Sequence, residues 1–93
     1  MSHDELRVHL DHILDKARLL TLLQPVLDLA NGRVMGYEAL SRGPSNSPLH
    51  APQAMFRVAE QHGLLTALDW ACIHMSLKTF AQLKLPGRLF VNL

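Results

Sequence analysis

The sequence predicts an α/β fold whose elements run helix, hairpin, two helices, strand, and which stops before such a fold is closed. Three observations predict it. The pair Asn31-Gly32 sits between two runs rich in Leu and Val, which is the strongest short-range hairpin signal. Two stretches of helical spacing follow the hairpin. The last residues, "RLFVNL", read as a buried strand with no helix after them to cover it.

The elements follow in order. Over residues 2–20, Leu6, Leu10, Ile13, Leu14, Ala17 and Leu20 recur at helical spacing with charge on the other face, and Ser2 with Glu5 matches a capping box. The run "LLTLLQPVLDL" is the first strand, in which Pro25 requires an edge position or an irregularity. Asp28 stands before the turn as a turn residue. The second strand runs from Val34 to about Arg42. "GPSNSPLHAP" is a loop by composition. A helix follows Pro52, a favoured first-turn residue, and stops at Gly63, with Met55, Phe56, Val58 and Ala59 turned to a core. Another starts near Thr66, with Asp69 as capping partner and Leu68, Ala71, Met75 and residues 77–80 as its apolar face. Trp70 is read as a packing residue. Pro86-Gly87 makes the turn into the final strand.

Composition bounds the function. With 93 residues, 48% hydrophobic and 18% charged, the chain is globular and is one small domain or a piece of a larger one. A net charge of +1 and 5% aromatics give no electrostatic or stacking case for a nucleic-acid polymer or a membrane surface. A single cysteine, Cys72, excludes an intrachain disulfide and fits a reducing cytoplasm. The N-terminus lacks the charged and apolar regions of a secretory signal, and no run approaches the ~20 apolar residues of a membrane span.

The stretch "RVMGYEALSRGP" carries the most chemistry. Residues two apart on a strand share a face, so Glu38, Leu40 and Arg42 put a carboxylate, an aliphatic wall and a guanidinium in one row. Spacing alone leaves two readings open: an ion pair on one strand face, or a lined site.

Motif context favours the site. "LLQPVLDLANGRVMGYEALSRGP", "MFRVAEQHGLLTALDWACIHMSL" and "LFVNL" resemble, in order, the opening hairpin, the first helical stretch and the next core strand of the EAL domain family, whose name matches Glu38-Ala39-Leu40. The resemblance spans residues 19–93, so residues 1–18 are expected to form an N-terminal amphipathic helix and 19–93 the N-terminal part of a truncated EAL domain. The family's members are cyclic di-GMP phosphodiesterases. Their fold is a TIM-like barrel of the (β/α)8 type with an antiparallel first strand. A complete domain has about 240 residues, the size of a typical barrel, so this chain holds roughly the first third. With no room before residue 19, no sensor domain is expected upstream.

The resemblance implies roles. Glu38 and Asn92, late in their strands where barrel active sites form, become metal ligands for Mg²⁺ or Mn²⁺, which prefer oxygen donors. Arg42 contacts a substrate phosphate, Leu40 packs near the nucleotide and Gln24 lies at the substrate site. The family also needs later acidic ligands, including an adjacent aspartate pair, and a lysine. These have no counterpart here, and no catalytic residue beyond the metal ligands is identifiable. The expected function is therefore the opening segment of an enzyme that cleaves cyclic di-GMP to linear pGpG, with the 93-residue chain itself inactive and prone to self-association. The alternative is part of a degenerate EAL domain that binds cyclic di-GMP or a protein partner without catalysis.

The remaining candidates carry less. His9 and His12 lie at helical spacing i, i+3 but lack an evident third ligand. His62 beside Gly63 reads as a helix-end residue near the dipole. Cys72 and His74 are read without chemistry. The N-terminal helix is expected to cap the bottom of a barrel rather than to mediate dimerisation.

Overall fold

The computed structural model describes residues 2–91. Its elements are α1 (His3–Asp15), β1 (Leu20–Asp28), β2 (Arg33–Arg42), α2 (Pro52–Gln61), α3 (Leu65–Leu83) and β3 (Arg88–Val91). The order is the predicted one. The strands form one sheet in the order β1-β2-β3, with β1 antiparallel and β3 parallel to β2. A tight loop can join only the antiparallel pair. The parallel pair needs the long crossover that α2 and α3 supply.

Each boundary has a local cause. Ser2 caps α1: its Oγ accepts the Glu5 N–H at 3.2 Å and donates to the Glu5 carboxylate at 3.1 Å. The helix stops at Asp15, five residues short of the predicted end. Ala17 takes a left-handed conformation (φ +49°), and the Arg18 N–H closes back on the Ile13 carbonyl at 3.1 Å. Alanine gave no stop signal. Burial of Leu19 and pairing of Leu20 with Arg42 impose the stop, so Ala17 and Leu20 leave the helical face and are exposed.

The hairpin turn uses four residues, 29–32. Asp28 organises it, its side chain accepting the Ala30 N–H at 2.8 Å and its carbonyl the Gly32 N–H at 2.7 Å. Next to Pro25 the β1–β2 register shifts between Val26 and Leu27, which supplies the irregularity read from the proline, and among the described residues β1 lies at the edge of the sheet.

Helix α2 ends in a Schellman motif. The Leu64 N–H meets the Ala59 carbonyl at 2.8 Å, the Gly63 N–H meets that of Glu60 at 3.3 Å, and Gly63 sits at φ +68°. His62 is the C-cap, as its position suggested. Helix α3 begins on Leu64 with no side-chain cap, so the expected Thr66–Asp69 cap is absent. Its buried line is Leu68, Cys72 and Ser76, whereas Trp70 (59% exposed) and Leu77 face outward. The expected packing role of Trp70 is therefore not met: its ring lies against His74, centroids 6.1 Å apart.

The core lies among the three helices, closed by Leu19 just before β1 and Leu49 in the loop after β2. Leu10, Ile13, Leu19, Leu49, Met55, Val58, Ala59, Leu68 and Cys72 form it. Helix α1 contributes Leu10 and Ile13, and His9, His12 and Ile13 share a small cavity with Pro44, Asn46 and Ser47. That loop follows the C-terminal end of β2. Thus α1 packs at the end of the sheet where β2 finishes, not at the opposite end where a bottom cap would lie.

Candidate active-site face

Register decides which side chains share the second strand's two faces. Tyr37, Ala39 and Ser41 turn toward the helices, and the Tyr37 and Phe80 rings lie 6.3 Å apart. Glu38, Leu40 and Arg42 turn to the other face. Opposite them on β1 stand Gln24, Leu22 and Leu20, and Phe90 on β3 pairs with Glu38. Partners in register project to the same side, so Gln24, Glu38, Leu40 and Arg42 are brought onto one surface. Asn92, the second proposed metal ligand, lies outside the described residues.

Among the described residues, no helix covers this face. Leu20, Leu22 and Phe90 are 44%, 53% and 38% exposed, whereas Thr21, Leu23, Leu89 and Val91 on the opposite face are partly buried. The Phe90 ring lies over Gly36, where a Cβ would come within 2.8 Å of Cε2. Glycine at that position lets β3 lie flat against the central strand.

Glu38 and Arg42 do not form an ion pair: the one such contact among the described residues is Arg7–Asp11 at 3.0 Å. Four residues along a strand separate them by about 13 Å. Arg42 instead donates from Nη1 to the Ser41 carbonyl at 3.0 Å. That bond orients the guanidinium, and among the described residues no carboxylate lies within ion-pair distance of it, as an anion contact requires.

The donor types on this face suit a hard divalent cation: a carboxylate at Glu38, with an amide oxygen at its cross-strand partner Gln24. Among the described residues, no three of His, Cys, Asp and Glu are close enough to hold a metal. Glu38 thus fits as one ligand of a set that these residues do not complete. His9 and His12 likewise gain no third ligand of these types.

Folding also assembles a feature that strand periodicity could not reveal. A cavity of about 170 Å³ opens where β2 ends against α2 and α3, and Ser41, Arg42, Asp69 and Cys72 are among its lining residues. Burial pushes the Cys72 thiol up from its ordinary value, with the Asp69 charge adding to the rise and a Ser41 hydrogen bond opposing it. Ser76 donates from Oγ to the Cys72 carbonyl at 2.7 Å, which satisfies its buried hydroxyl. A protonated, enclosed thiol is a poor nucleophile. The three-residue spacing of Asp69 and Cys72 places both on one side of α3, but nothing in the sequence aims that side at the end of β2.

The profile of the EAL domain family matches residues 6–93. Among solved structures, the crystal structure of the Xanthomonas citri FimX EAL domain in complex with c-diGMP is similar, with a TM-score of 0.79 at 23% identity. The match covers 98% of this chain and 36% of that chain, so the fold described above corresponds to part of an EAL barrel. No curated protein matches the chain. No helix among the described residues is long and apolar enough to cross a membrane.

Proposed function

Because the chain belongs to the EAL domain family, we propose that it is the opening part of a metal-dependent phosphodiesterase domain that hydrolyses cyclic di-GMP to linear pGpG. The observation that carries this reading is the shared open face of β1 and β2, with Gln24 across from Glu38 and, at the strand's C-terminal end, Arg42 with no ion-pair partner among the described residues. Barrel active sites form at that end.

In this reading Glu38 presents its carboxylate to a Mg²⁺ or Mn²⁺ ion, and Asn92 supplies a second oxygen. When bound, such ions supply an activated water and positive charge beside the phosphate. Arg42 holds a non-bridging phosphate oxygen with its planar donors. Leu40 forms an apolar wall beside the nucleotide, and Gln24 orients it from the neighbouring strand. The isolated 93-residue chain has no turnover, because a partial ligand set does not fix the geometry that water activation needs.

A chimera tests the assignment. This chain replaces the matching opening of the Xanthomonas citri FimX EAL domain, and cyclic di-GMP binding is measured by calorimetry. Hydrogen bonds to charged groups contribute about 1.5–3 kcal/mol, so Arg42→Ala should weaken binding by roughly 10- to 100-fold, while Leu77→Ala on the outer helix face leaves it unchanged. Equal affinity of the Arg42→Ala chimera and its parent would overturn the phosphate role. Release of pGpG by the isolated chain with Mn²⁺ would overturn its predicted inactivity.

A further inference from the structure

The cavity between α1 and the loop after β2 has a volume of about 170 Å³. Its walls carry His9 and His12 from α1, Arg18 from the link to β1, and Asn46 and Ser47 from the loop. None of its lining residues lies on a strand, so the strands that complete a barrel are not needed to build it. Folding brings these groups together where helical spacing would not. In a continued α1, Arg18 would stand nine residues beyond His9, which at about 100° per residue is half a turn away. Instead the left-handed Ala17 (φ +49°) and the bond from the Arg18 N–H to the Ile13 carbonyl (3.1 Å) turn the chain back, and Arg18 joins the two histidines. The loop wall is held by its own bonds. The Ser47 N–H donates to the Pro44 carbonyl at 3.0 Å, and Ser47 Oγ accepts the Leu49 N–H at 3.0 Å. That acceptance leaves the Ser47 hydroxyl proton to be donated elsewhere.

We propose that this cavity is a phosphate site, binding the dianion either free or as the end of a phosphomonoester. The lining is rich in donors: a guanidinium fork with a permanent charge at Arg18, an N–H on each imidazole, an amide NH₂ at Asn46 and the Ser47 hydroxyl. The acids nearest in sequence, Asp11 and Asp15, do not line it, and Asp11 is held by Arg7 at 3.0 Å. Among the described residues, no carboxylate lies within ion-pair distance of Arg18, His9 or His12. The permanent charge of Arg18 opposes a metal ion on the two histidines and favours an anion. Size selects among anions. At ~30 Å³ per water the cavity holds about five waters, which suits a tetrahedral oxyanion. A nucleotide needs a pocket of ~300–1,000 Å³. Beyond Arg18 an open groove lined by Ala17, Leu20 and Ser45 gives the rest of a phosphomonoester a place to lie. Arg42 is not among the lining residues, so the site stands apart from the proposed cyclic di-GMP contact.

An NMR titration of the 93-residue chain at constant ionic strength tests the proposal, with inorganic phosphate, ribose 5-phosphate and Zn²⁺ as separate probes. Inorganic phosphate should shift the His9 and His12 ring signals and the Asn46 and Ser47 amides saturably. Arg18→Gln and His12→Gln, both at exposed positions, should each weaken that binding by roughly 10- to 100-fold with an unchanged far-UV circular dichroism spectrum. Arg33→Gln, at an exposed position beside the hairpin turn, removes the same charge away from the cavity and should leave binding unchanged. Ribose 5-phosphate binding as well as inorganic phosphate identifies the end of a phosphomonoester as the ligand, and binding of inorganic phosphate alone identifies the free ion. The proposal is overturned if neither phosphate probe gives a saturable shift, if Arg33→Gln weakens binding as much as Arg18→Gln, or if the histidine rings answer to Zn²⁺ and not to phosphate.

Discussion

Gly43→Ala should be far more damaging than an exposed-loop substitution, and the structure says by how much. A Cβ at Gly43 would run into the Leu49 carbonyl group and approach the His50 Cα at 3.3 Å, so backbone rather than a flexible side chain blocks it. Relief requires the 43–50 loop to open. That breaks the Gly43 N–H to His50 carbonyl bond (3.0 Å) and the contact of His50 Nδ1 with the Gly43 carbonyl (2.8 Å), together about 1–3 kcal/mol. It also draws Leu49, 1% exposed, out of its packing with Leu10, Ile13 and Met55, where full burial contributes about 1.5–3 kcal/mol. A loss of about 3–5 kcal/mol follows, a large share of a small domain's total stability. Because Arg42 is the preceding residue, the same opening displaces the proposed phosphate contact. The assay is urea denaturation at fixed protein concentration, with Gly63→Ala as reference. Gly63 has open space around it and a left-handed φ of +68°, so alanine there costs about 1–2 kcal/mol of backbone strain alone. If Gly43→Ala loses no more than Gly63→Ala, the clash argument fails.

Four further outcomes are expected. Thr21→Val should stabilise the chain by about 1 kcal/mol in the same assay, because the Thr21 hydroxyl is buried without a hydrogen-bond partner among the described residues. Ala17→Gly should stabilise it by about 0.5–1 kcal/mol, since glycine relieves a left-handed residue (φ +49°) at an exposed site. Leu10→Ala should cost about 2–5 kcal/mol, since Leu10 is fully buried and ties α1 to the core. Stability should fall in alkali. The Cys72 thiol is raised by burial, so its contribution is complete below the unfolded thiol's value of about 8.5 and is lost as pH climbs toward the folded value. Cys72→Ala should flatten that slope, and an unchanged slope from pH 8 upward would contradict the assignment.

The sequence by itself determined what is local. Asn31-Gly32 and Asp28 specified the hairpin, Ser2 the start of α1, and Gly63 the end of α2, because each acts on backbone within a few residues. Strand periodicity likewise put Glu38, Leu40 and Arg42 on one face. The sequence did not determine where α1 stops. Ala17 and Leu20 continue its apolar spacing, and only the burial of Leu19 and the pairing of Leu20 with Arg42 end the helix. Nor did it determine the exposure of Trp70, since an apolar helix such as α3 gives no strong direction to either face. Whether Glu38 and Arg42 pair was likewise left open. A strand holds residues four apart at about 13 Å, and the fold turns both toward the sheet face that the described helices leave open, with Gln24 beside Glu38. Cross-strand register and helix placement are long-range quantities, fixed by which surfaces exclude water together, and no window of sequence contains them.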